Sequence, residues 1–93
     1  MRAVITAGTT QLLATDYYVP CDPSGGPIIL EPPAPPFDGQ VLFIKDVTGA
    51  ASGTNYIEFA GTVDVLVTPK ITIATGWLRI RYDAAQAKWM QGG

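Results

Sequence analysis

The side chains best suited to chemistry in this sequence are eight scattered carboxylates and one thiol. Carboxylates close together could serve as general acid and base, and the candidate pairs are Asp16 with Asp22 and Asp38 with Asp46. Each pair has a member in a turn-like stretch, where Asp commonly accepts hydrogen bonds from nearby backbone. Lys45 cannot pair with Asp46 within one strand, since adjacent residues face opposite sides. These carboxylates therefore indicate turns rather than a catalytic pair.

Nucleophilic and metal chemistry has few side chains to use. The sequence contains no histidine and a single cysteine, Cys21, which cannot form an internal disulfide. A lone cysteine without histidine matches neither the common zinc sites nor a Cys–His nucleophile. The sequence also has no nucleophile elbow and no phosphate-binding loop. We therefore predict that the protein is not an enzyme, holds no cofactor or metal, and keeps Cys21 in its core.

Composition predicts a single domain that associates with other surfaces. Residues 1–93 suffice for one small β domain, near the lower size limit for a single core. The sequence is 47% hydrophobic and only 15% charged. A small domain with so few charges has difficulty covering its apolar surface, which favours association with copies of itself or with a larger surface.

Charge and hydropathy argue against two classes of partner. The net charge is −2 and the pI is about 4.7, unlike the basic surface of a nucleic-acid-binding domain. No apolar run approaches the roughly 20 residues of a membrane span. The amino-terminal sequence MRAVITAGTTQLLA lacks the continuous apolar region of a secretory signal. We expect no nucleic-acid partner, no membrane partner, and synthesis in a reducing cytoplasm.

Short runs of Val, Ile, Thr and Tyr, interrupted by Gly, Pro, Asn and Asp, predict an all-β fold. The expected architecture is a compact β-sandwich or barrel-like domain. YDAAQAKW has helix-like composition but is too short for a stable helix, so it is predicted to be a hairpin loop. The small residues of TGAASGTN, at 48–55, predict the most flexible segment. Strands are expected near 3–7, 11–20, 27–31, 40–47, 55–60, 63–67, 70–75, 77–83 and 87–91.

Alternation predicts which side chains of these strands share a face. Val63, Val65 and Val67 are expected to line one face of a single strand. In KITIATG, Ile71 and Ile73 are expected to point inward. The run VLFI at 41–44 is apolar at every position, which predicts a strand covered on both faces, with one cover coming from another subunit.

The strand WLRIRYD, at 77–83, predicts a surface with two interpretations. Leu78, Ile80 and Tyr82 form one face, and the opposite face carries a tryptophan and two arginines. Such arginines commonly lie on a solvated outer face, whereas Trp and Arg together are the residues that anchor interfaces. The candidate interface residues are Val41, Phe43, Trp77, Arg79 and Arg81.

The proline-rich stretch PPAPP, at 32–36, has three possible roles. It satisfies the PxxP spacing of ligands for proline-reading domains, but predicted strands adjoin it on both sides. The same continuity disfavours a flexible linker. The preferred interpretation is a stiff polyproline crossover between strands, about 15 Å long, without free N–H groups.

Three stretches, LEPPAPPFDGQVLFIKDVTGAA, IEFAGTVD and LRIRYDAAQAKW, resemble a small β domain that recurs in tailed-bacteriophage virion proteins, especially tail-fibre and spike proteins. The resemblance implies a non-enzymatic, usually trimeric structural module. The residues that carry it are Leu30, Pro32 to Pro36, Asp38, Gly39, Gln40, Ile44 to Asp46, Thr48, Gly49, Ile57, Gly61, Asp64, Tyr82, Asp83 and Trp89.

In fibre proteins this domain is one bead of a longer chain, whereas the present chain is little more than the bead. This departure from the family favours a stand-alone piece on a larger assembly. We therefore expect a homotrimeric capsid decoration or cement protein on the virion surface, bound to the major capsid protein or another virion protein. The alternative is a tail-fibre, spike or baseplate component that binds host-surface carbohydrate. In that case Trp77, Tyr56 or Trp89 is expected to stack on sugar rings.

Overall fold

Ten short β-strands build the part of the chain that the computed structural model describes, residues 3–64 and 66–91. A 3-10 turn at Pro23–Gly25 is the only helical element among these residues. The all-β prediction is confirmed. The strands are β1 (Gly8–Gln11), β2 (Tyr18–Cys21), β3 (Ile28–Glu31), β4 (Val41–Asp46), β5 (Ile57–Phe59), β6 (Thr62–Val63), β7 (Leu66–Val67), β8 (Lys70–Ile71), β9 (Trp77–Asp83) and β10 (Lys88–Gln91).

The strands form two mixed sheets, and the chain alternates between them from β1 to β5. The four-stranded sheet has the order β1-β3-β5-β8, and the six-stranded sheet has the order β2-β4-β9-β10-β6-β7. Parallel neighbours need a crossover connection. Here a strand of the opposite sheet lies within each crossover, so β1, β3 and β5 run parallel, as do β2 and β4. In the strand register, Gly8 aligns with Ile28, and Ile28 aligns with Ile57. The two intervals along the sequence between aligned residues are unequal, so the parallel strands do not appear as a sequence repeat.

Side chains from the inner faces of both sheets form a common core. Phe59 of the four-stranded sheet meets Trp89 of the six-stranded sheet edge to face, with ring centroids 5.7 Å apart. Cys21 is buried in this core, as predicted. Burying one large aliphatic or aromatic side chain contributes about 1.5–3 kcal/mol, so this cluster is the main source of stability. Its buried members are Ile5, Leu12, Val19, Cys21, Ile28, Leu30, Leu42, Ile44, Ala51, Ile57, Phe59, Val63, Ile71, Leu78, Ile80 and Trp89.

The predicted strand at 63–67 is wrong, because the chain reverses there. Val63 pairs with Leu66 across a two-residue turn. Asp64 adopts a φ of 53°, the left-handed conformation that such turns require and that Asp tolerates. Its N–H donates to the Trp89 carbonyl over 2.8 Å, which ties the turn to β10. Val67 consequently lies largely exposed, and Val65 lies outside the described residues.

The predicted strand at 70–75 ends after Ile71, so the expectation that Ile73 points inward is also wrong. Ile73 is 75% exposed. The Gly76 N–H donates to the Ile73 carbonyl over 2.9 Å, closing a turn. A Cβ at Gly76 would lie 2.8 Å from that carbonyl oxygen and 2.8 Å from Ile71 Cγ2, so only glycine fits. This turn directs the chain into β9.

Two other expected strands differ from the structure, whereas the last hairpin agrees. In the predicted 3–7 strand, Ile5 forms a single bridge with Cys21, and most of the predicted 11–20 strand is a loop before β2. The hairpin prediction for YDAAQAKW is confirmed, since β9 ends at Asp83 and β10 begins at Lys88. The Asp83 carboxylate accepts hydrogen bonds from the N–H groups of Ala85 and Gln86 and thereby shapes the turn.

The proline-rich connection, residues 32–40, carries the chain from β3 in one sheet to β4 in the other. Pro33 is buried, and the Gln11 side-chain amide donates to the Pro32 carbonyl over 2.6 Å. The Ala34–Pro35 peptide bond is cis. Among residues 3–64 and 66–91, no helix has the length and apolar character to cross a bilayer.

Candidate functional site

The five predicted interface residues lie together on the side of the six-stranded sheet that faces away from the core, here called the outer face. β4 and β9 are antiparallel neighbours, and their register aligns Val41 with Arg81, Phe43 with Arg79 and Lys45 with Trp77. Paired residues share a face. The intervening residues of both strands point into the core. Two strands far apart in sequence thus build one surface.

Strand β4 alternates in burial, which corrects the expectation that it is covered on both faces. Leu42 and Ile44 are buried, whereas Val41 and Phe43 are only half-buried. The Phe43 ring contacts Tyr18 edge to face at 5.9 Å between centroids and Trp77 at 5.7 Å. Neighbouring aromatic rings of the same sheet thus supply part of the outer cover. Trp77 ends this row with 61% of its surface exposed.

Positive charge is concentrated on the outer face. The β9–β10 register aligns Asp83 with Lys88, on the same side as Arg81. Four of the five Lys and Arg residues among the described residues lie on this face, together with one of the eight Asp and Glu residues. The face therefore carries a net charge of +3 within a chain of net charge −2. The four cationic residues are Lys45, Arg79, Arg81 and Lys88.

The two arginines of the outer face have no acidic partner. Within residues 3–64 and 66–91, the guanidinium groups of Arg79 and Arg81 form no hydrogen bond or ion pair, and the Arg79 Nε atom is buried without an acceptor. The Asp83 carboxylate is occupied by the turn after β9, and Lys45 Nζ donates to the Thr75 carbonyl. A buried donor without an acceptor is uncommon in folded proteins and calls for an explanation.

On the opposite side of the molecule, the cation Lys70 is paired with a carboxylate. On the outward side of the four-stranded sheet, Lys70 Nζ lies 3.8 Å from Glu58 Oε1. The same ammonium group lies 4.5 Å from the centroid of the Tyr56 ring. Tyr56 and Glu58 therefore lie on the outward side, whereas Ile57 and Phe59 are buried.

A second surface, here called the edge cleft, lies between the short edge strands β7 and β8 and the start of β9. It encloses a cavity of about 230 Å³. Leu66, Ile73 and Trp77 line it with much of their side chains exposed. Lys70 and Gln91 are polar residues in its wall. Alternation in the sequence did not indicate this cleft, because it predicted Ile73 to lie in the core and Leu66 to lie within a continuous strand.

Asp46, at the end of β4, organises the loop that follows, residues 46–51, here called the Asp46 loop. Its carboxylate is fully buried and accepts backbone hydrogen bonds from Thr48, Gly49, Ala51 and Thr75, each 3.0–3.1 Å long. Burial by itself raises the pKa of this carboxyl, but the four N–H groups outweigh it and lower the pKa from 3.8 to about 2.

The loop 48–55 is more ordered by hydrogen bonds than its composition predicts. Beyond the bonds to Asp46, the Ser52 Oγ atom accepts from the N–H groups of Thr54 and Asn55, and the Ser52 N–H donates to the Asn55 carbonyl. Ala51 is buried in the core. The prediction of a flexible segment overlooked a carboxylate placed just before it.

The carboxylates hold turns, as the sequence predicted. Asp16 accepts from the N–H of Leu13 and Asp38 from that of Ala84. Side-chain and backbone hydrogen bonds from Ser24, with a hydrogen bond from Thr48, lower the pKa of Asp22. Among the described residues, no three His, Cys, Asp or Glu side chains are grouped to hold a metal ion.

Only one of the three aromatic residues considered for sugar stacking is available as an open platform. Trp89 is 4% exposed and packs in the core, so the expectation for that residue is wrong. Tyr56 has Lys70 over its ring. Trp77 alone presents a largely exposed ring on the outer face.

Comparison with known proteins adds no relative. No protein-family model matches the chain, and no curated protein matches it. The likeness to phage modules therefore rests on the motif residues, and the candidate site rests on the geometry of the outer face.

Proposed function

We propose that the chain is a non-enzymatic structural protein of a tailed-bacteriophage virion, a homotrimer on the virion surface that decorates the capsid and holds neighbouring subunits together. The observation that supports a binding role most strongly is the outer face. It combines an exposed Trp77 with Arg79 and Arg81, whose charges have no partner among the described residues. Trp and Arg are the side chains that most often dominate binding energy at protein interfaces.

In this proposal the outer face contacts the major capsid protein or another virion protein. Three faces, each of charge +3, would repel one another around a threefold axis. Facing a partner instead, three copies of one modest site gain avidity on a symmetric lattice, because later contacts become intramolecular.

Contacts between copies are assigned to the edge cleft. Leu66, Val67 and Ile73 are large apolar side chains that are exposed. Leu66 and Val67 are adjacent in sequence, and Leu66 and Ile73 line the same cavity. Exposed apolar patches of this kind commonly mark association surfaces. The edge cleft has one cation, Lys70, which is already paired with Glu58. It therefore lacks the repulsion that disfavours contacts between outer faces.

The proline segment is proposed to be the stiff crossover of this module. It joins β3 to β4, which lie in different sheets and must keep their register across the core. Prolines restrict the unfolded chain and thereby favour the folded connection.

A second function, in a tail fibre, spike or baseplate that binds host-surface carbohydrate, is favoured by one observation. The exposed Trp77 ring offers a flat apolar surface of the kind that stacks on sugar rings. A glycan array distinguishes this function, since binding that is abolished by Trp77→Ala would favour it over capsid decoration.

The proposed trimer is tested by light scattering on the purified protein at micromolar concentration. The expected mass is three times that of the 9.9 kDa chain. Ile73→Ser in the edge cleft should shift the protein toward monomer, whereas Val4→Ser, at an exposed apolar residue outside the cleft, should not. A wild-type monomer would contradict the trimer.

The decoration role is tested by mixing the protein with undecorated heads of the phage that encodes it. Saturable binding that raises the resistance of the heads to heat is the expected result. Failure to bind heads, with copies found only on the tail, would replace capsid decoration by the fibre or baseplate role.

A further inference from the structure

The outer face has a charge pattern that selects the chemistry of its partner. Its net charge is +3, whereas the rest of the chain carries −5. Because Arg79 and Arg81 have no carboxylate within ion-pair distance among the described residues, a partner that brings carboxylates finds them unoccupied. Arginine guanidinium groups bind carboxylates through paired hydrogen bonds that are stronger than neutral ones.

The spacing along β9 adds a geometric requirement. Trp77, Arg79 and Arg81 are alternate residues of one strand on one face. Alternate residues of a strand lie about 7 Å apart. An extended peptide has the same spacing between its own alternate residues, so it can place successive side chains opposite all three.

We propose that the outer face binds an extended acidic segment of a partner protein, with two alternate carboxylates against Arg79 and Arg81 and an apolar side chain against Trp77. The inference rests on the proposed function only in taking the partner to be a protein. The half-buried Phe43, beside Arg79 in the register and in contact with Trp77, provides the apolar floor between these positions.

A short acidic segment fits this surface better than a long polyanion does. Nucleic acid or an acidic polysaccharide extends beyond the outer face, which carries a net charge of +3. It is then repelled by the electrostatic field of the rest of the chain, which carries −5. Domains that bind nucleic acid are usually basic overall, whereas this chain has a pI of about 4.7. An acidic segment of about five to seven residues is similar in length to strand β9, which has seven residues. Such a segment contacts the basic face alone.

The test measures fluorescence anisotropy of two labelled peptides of identical composition, SESESLS and SSEELSS, titrated with the full-length protein. The first places two glutamates and a leucine at alternate positions, and the second makes them contiguous. We expect the alternate peptide to bind at least about fivefold more tightly. Binding should weaken as ionic strength rises from about 0.05 M to about 0.5 M, because part of the contact is exposed to screening.

Variants locate the contact on the protein. Arg79→Gln and Arg81→Gln should each weaken binding of SESESLS by about tenfold, the change produced by losing one charge-assisted contact. Trp77→Ala should weaken it and reduce the preference over SSEELSS. The control is Thr9→Ala, which changes an exposed residue on the outward side of the other sheet, away from the outer face and the edge cleft, and should leave binding unchanged. Circular dichroism checks that each variant is folded.

Four results would overturn the inference: no binding of SESESLS, equal binding of both peptides, undiminished binding by the two arginine variants, or tighter binding of double-stranded DNA or polygalacturonate than of the peptide. The outcome is independent of the virion role. A protein that binds the peptide but not phage heads loses only the decoration role. A trimer that binds heads but not the peptide loses only the acidic-segment partner.

Discussion

The Asp46 loop and the outer face both place ionised groups against the body of the protein, but the two groups differ in their hydrogen bonding. Four backbone N–H groups surround the Asp46 carboxylate, which is fully buried. Arg79 lies half-buried with a buried Nε atom that has no acceptor among the described residues. Buried polar groups with complete hydrogen bonding make a structure rigid, whereas incomplete bonding is costly. The comparison indicates that the first charge serves the fold, and it supports the proposal that the second serves binding.

Asp46→Asn should produce the largest change. The amide keeps one oxygen but sets an NH2 group against N–H donors such as those of Ala51 and Thr75. Leaving a buried donor unsatisfied costs about 1–3 kcal/mol each, so we expect a loss of about 3 kcal/mol in the free energy of unfolding. Chemical denaturation measures it.

Asp38→Asn is the matched control for this prediction, because Asp38 is exposed and accepts one N–H, from Ala84. We expect it to cost less than about 1 kcal/mol. Equal losses of unfolding free energy in the two variants would show that the burial and multiple hydrogen bonds of Asp46 contribute no more to stability than the single hydrogen bond of Asp38.

The next largest effect is a dependence of stability on pH. The pKa of Asp46 is lowered to about 2 in the folded protein, from an ordinary value of 3.8. The ionised carboxylate therefore favours the folded state, and its contribution of about 2 kcal/mol is complete above pH about 4 and lost as the pH falls toward 2. Urea titrations at several pH values should show this decline in the wild type, and a smaller decline in Asp46→Asn. An equal slope for the two proteins would assign the decline to other carboxyl groups.

Smaller effects are expected in the proline segment. Pro36→Ala should lower the free energy of unfolding by about 0.4–1 kcal/mol, since it mainly frees the unfolded chain. Pro33→Ala should cost more, because Pro33 is also buried and its ring is lost from the packing. Thermal melts of both variants measure the difference. If Pro36→Ala melts as the wild type does but loses a partner, the segment is a ligand rather than a crossover.

Local patterns in the sequence predicted β4, β9 and β10 closely, because alternation and the hairpin loop are properties of neighbouring residues. They also placed Trp77, Arg79 and Arg81 on one face. The alignment of these residues with Phe43 and Lys45 depends on the pairing of β4 with β9, a contact between distant segments that no local pattern encodes. The winding of β1 to β5 between two sheets was invisible for the same reason.

The misplaced valines and Ile73 show a different limit. Val63, Val65 and Val67 alternate correctly for a strand, but Asp64 supports a left-handed turn that reverses the chain. Asp is uncommon in strands, so Asp64 was a local signal against a continuous strand that the alternation of the valines outweighed. Its hydrogen bonds to β10 hold the turn in place. The edge cleft, which depends on this reversal, could not be predicted.

The central claim is that the arginines of the outer face serve binding rather than folding. The most direct measurement pairs the unfolding free energy of the Arg79→Gln/Arg81→Gln double variant with its occupancy on undecorated phage heads, beside the control Thr9→Ala, which lies on the outward side of the other sheet and outside the edge cleft. We predict that the double variant loses less than about 0.5 kcal/mol relative to the wild type, because neither guanidinium group has a hydrogen-bond partner to lose among the described residues, while its occupancy on heads falls sharply and that of Thr9→Ala does not. A double variant that loses more than about 1 kcal/mol yet occupies heads as the wild type does would contradict the account.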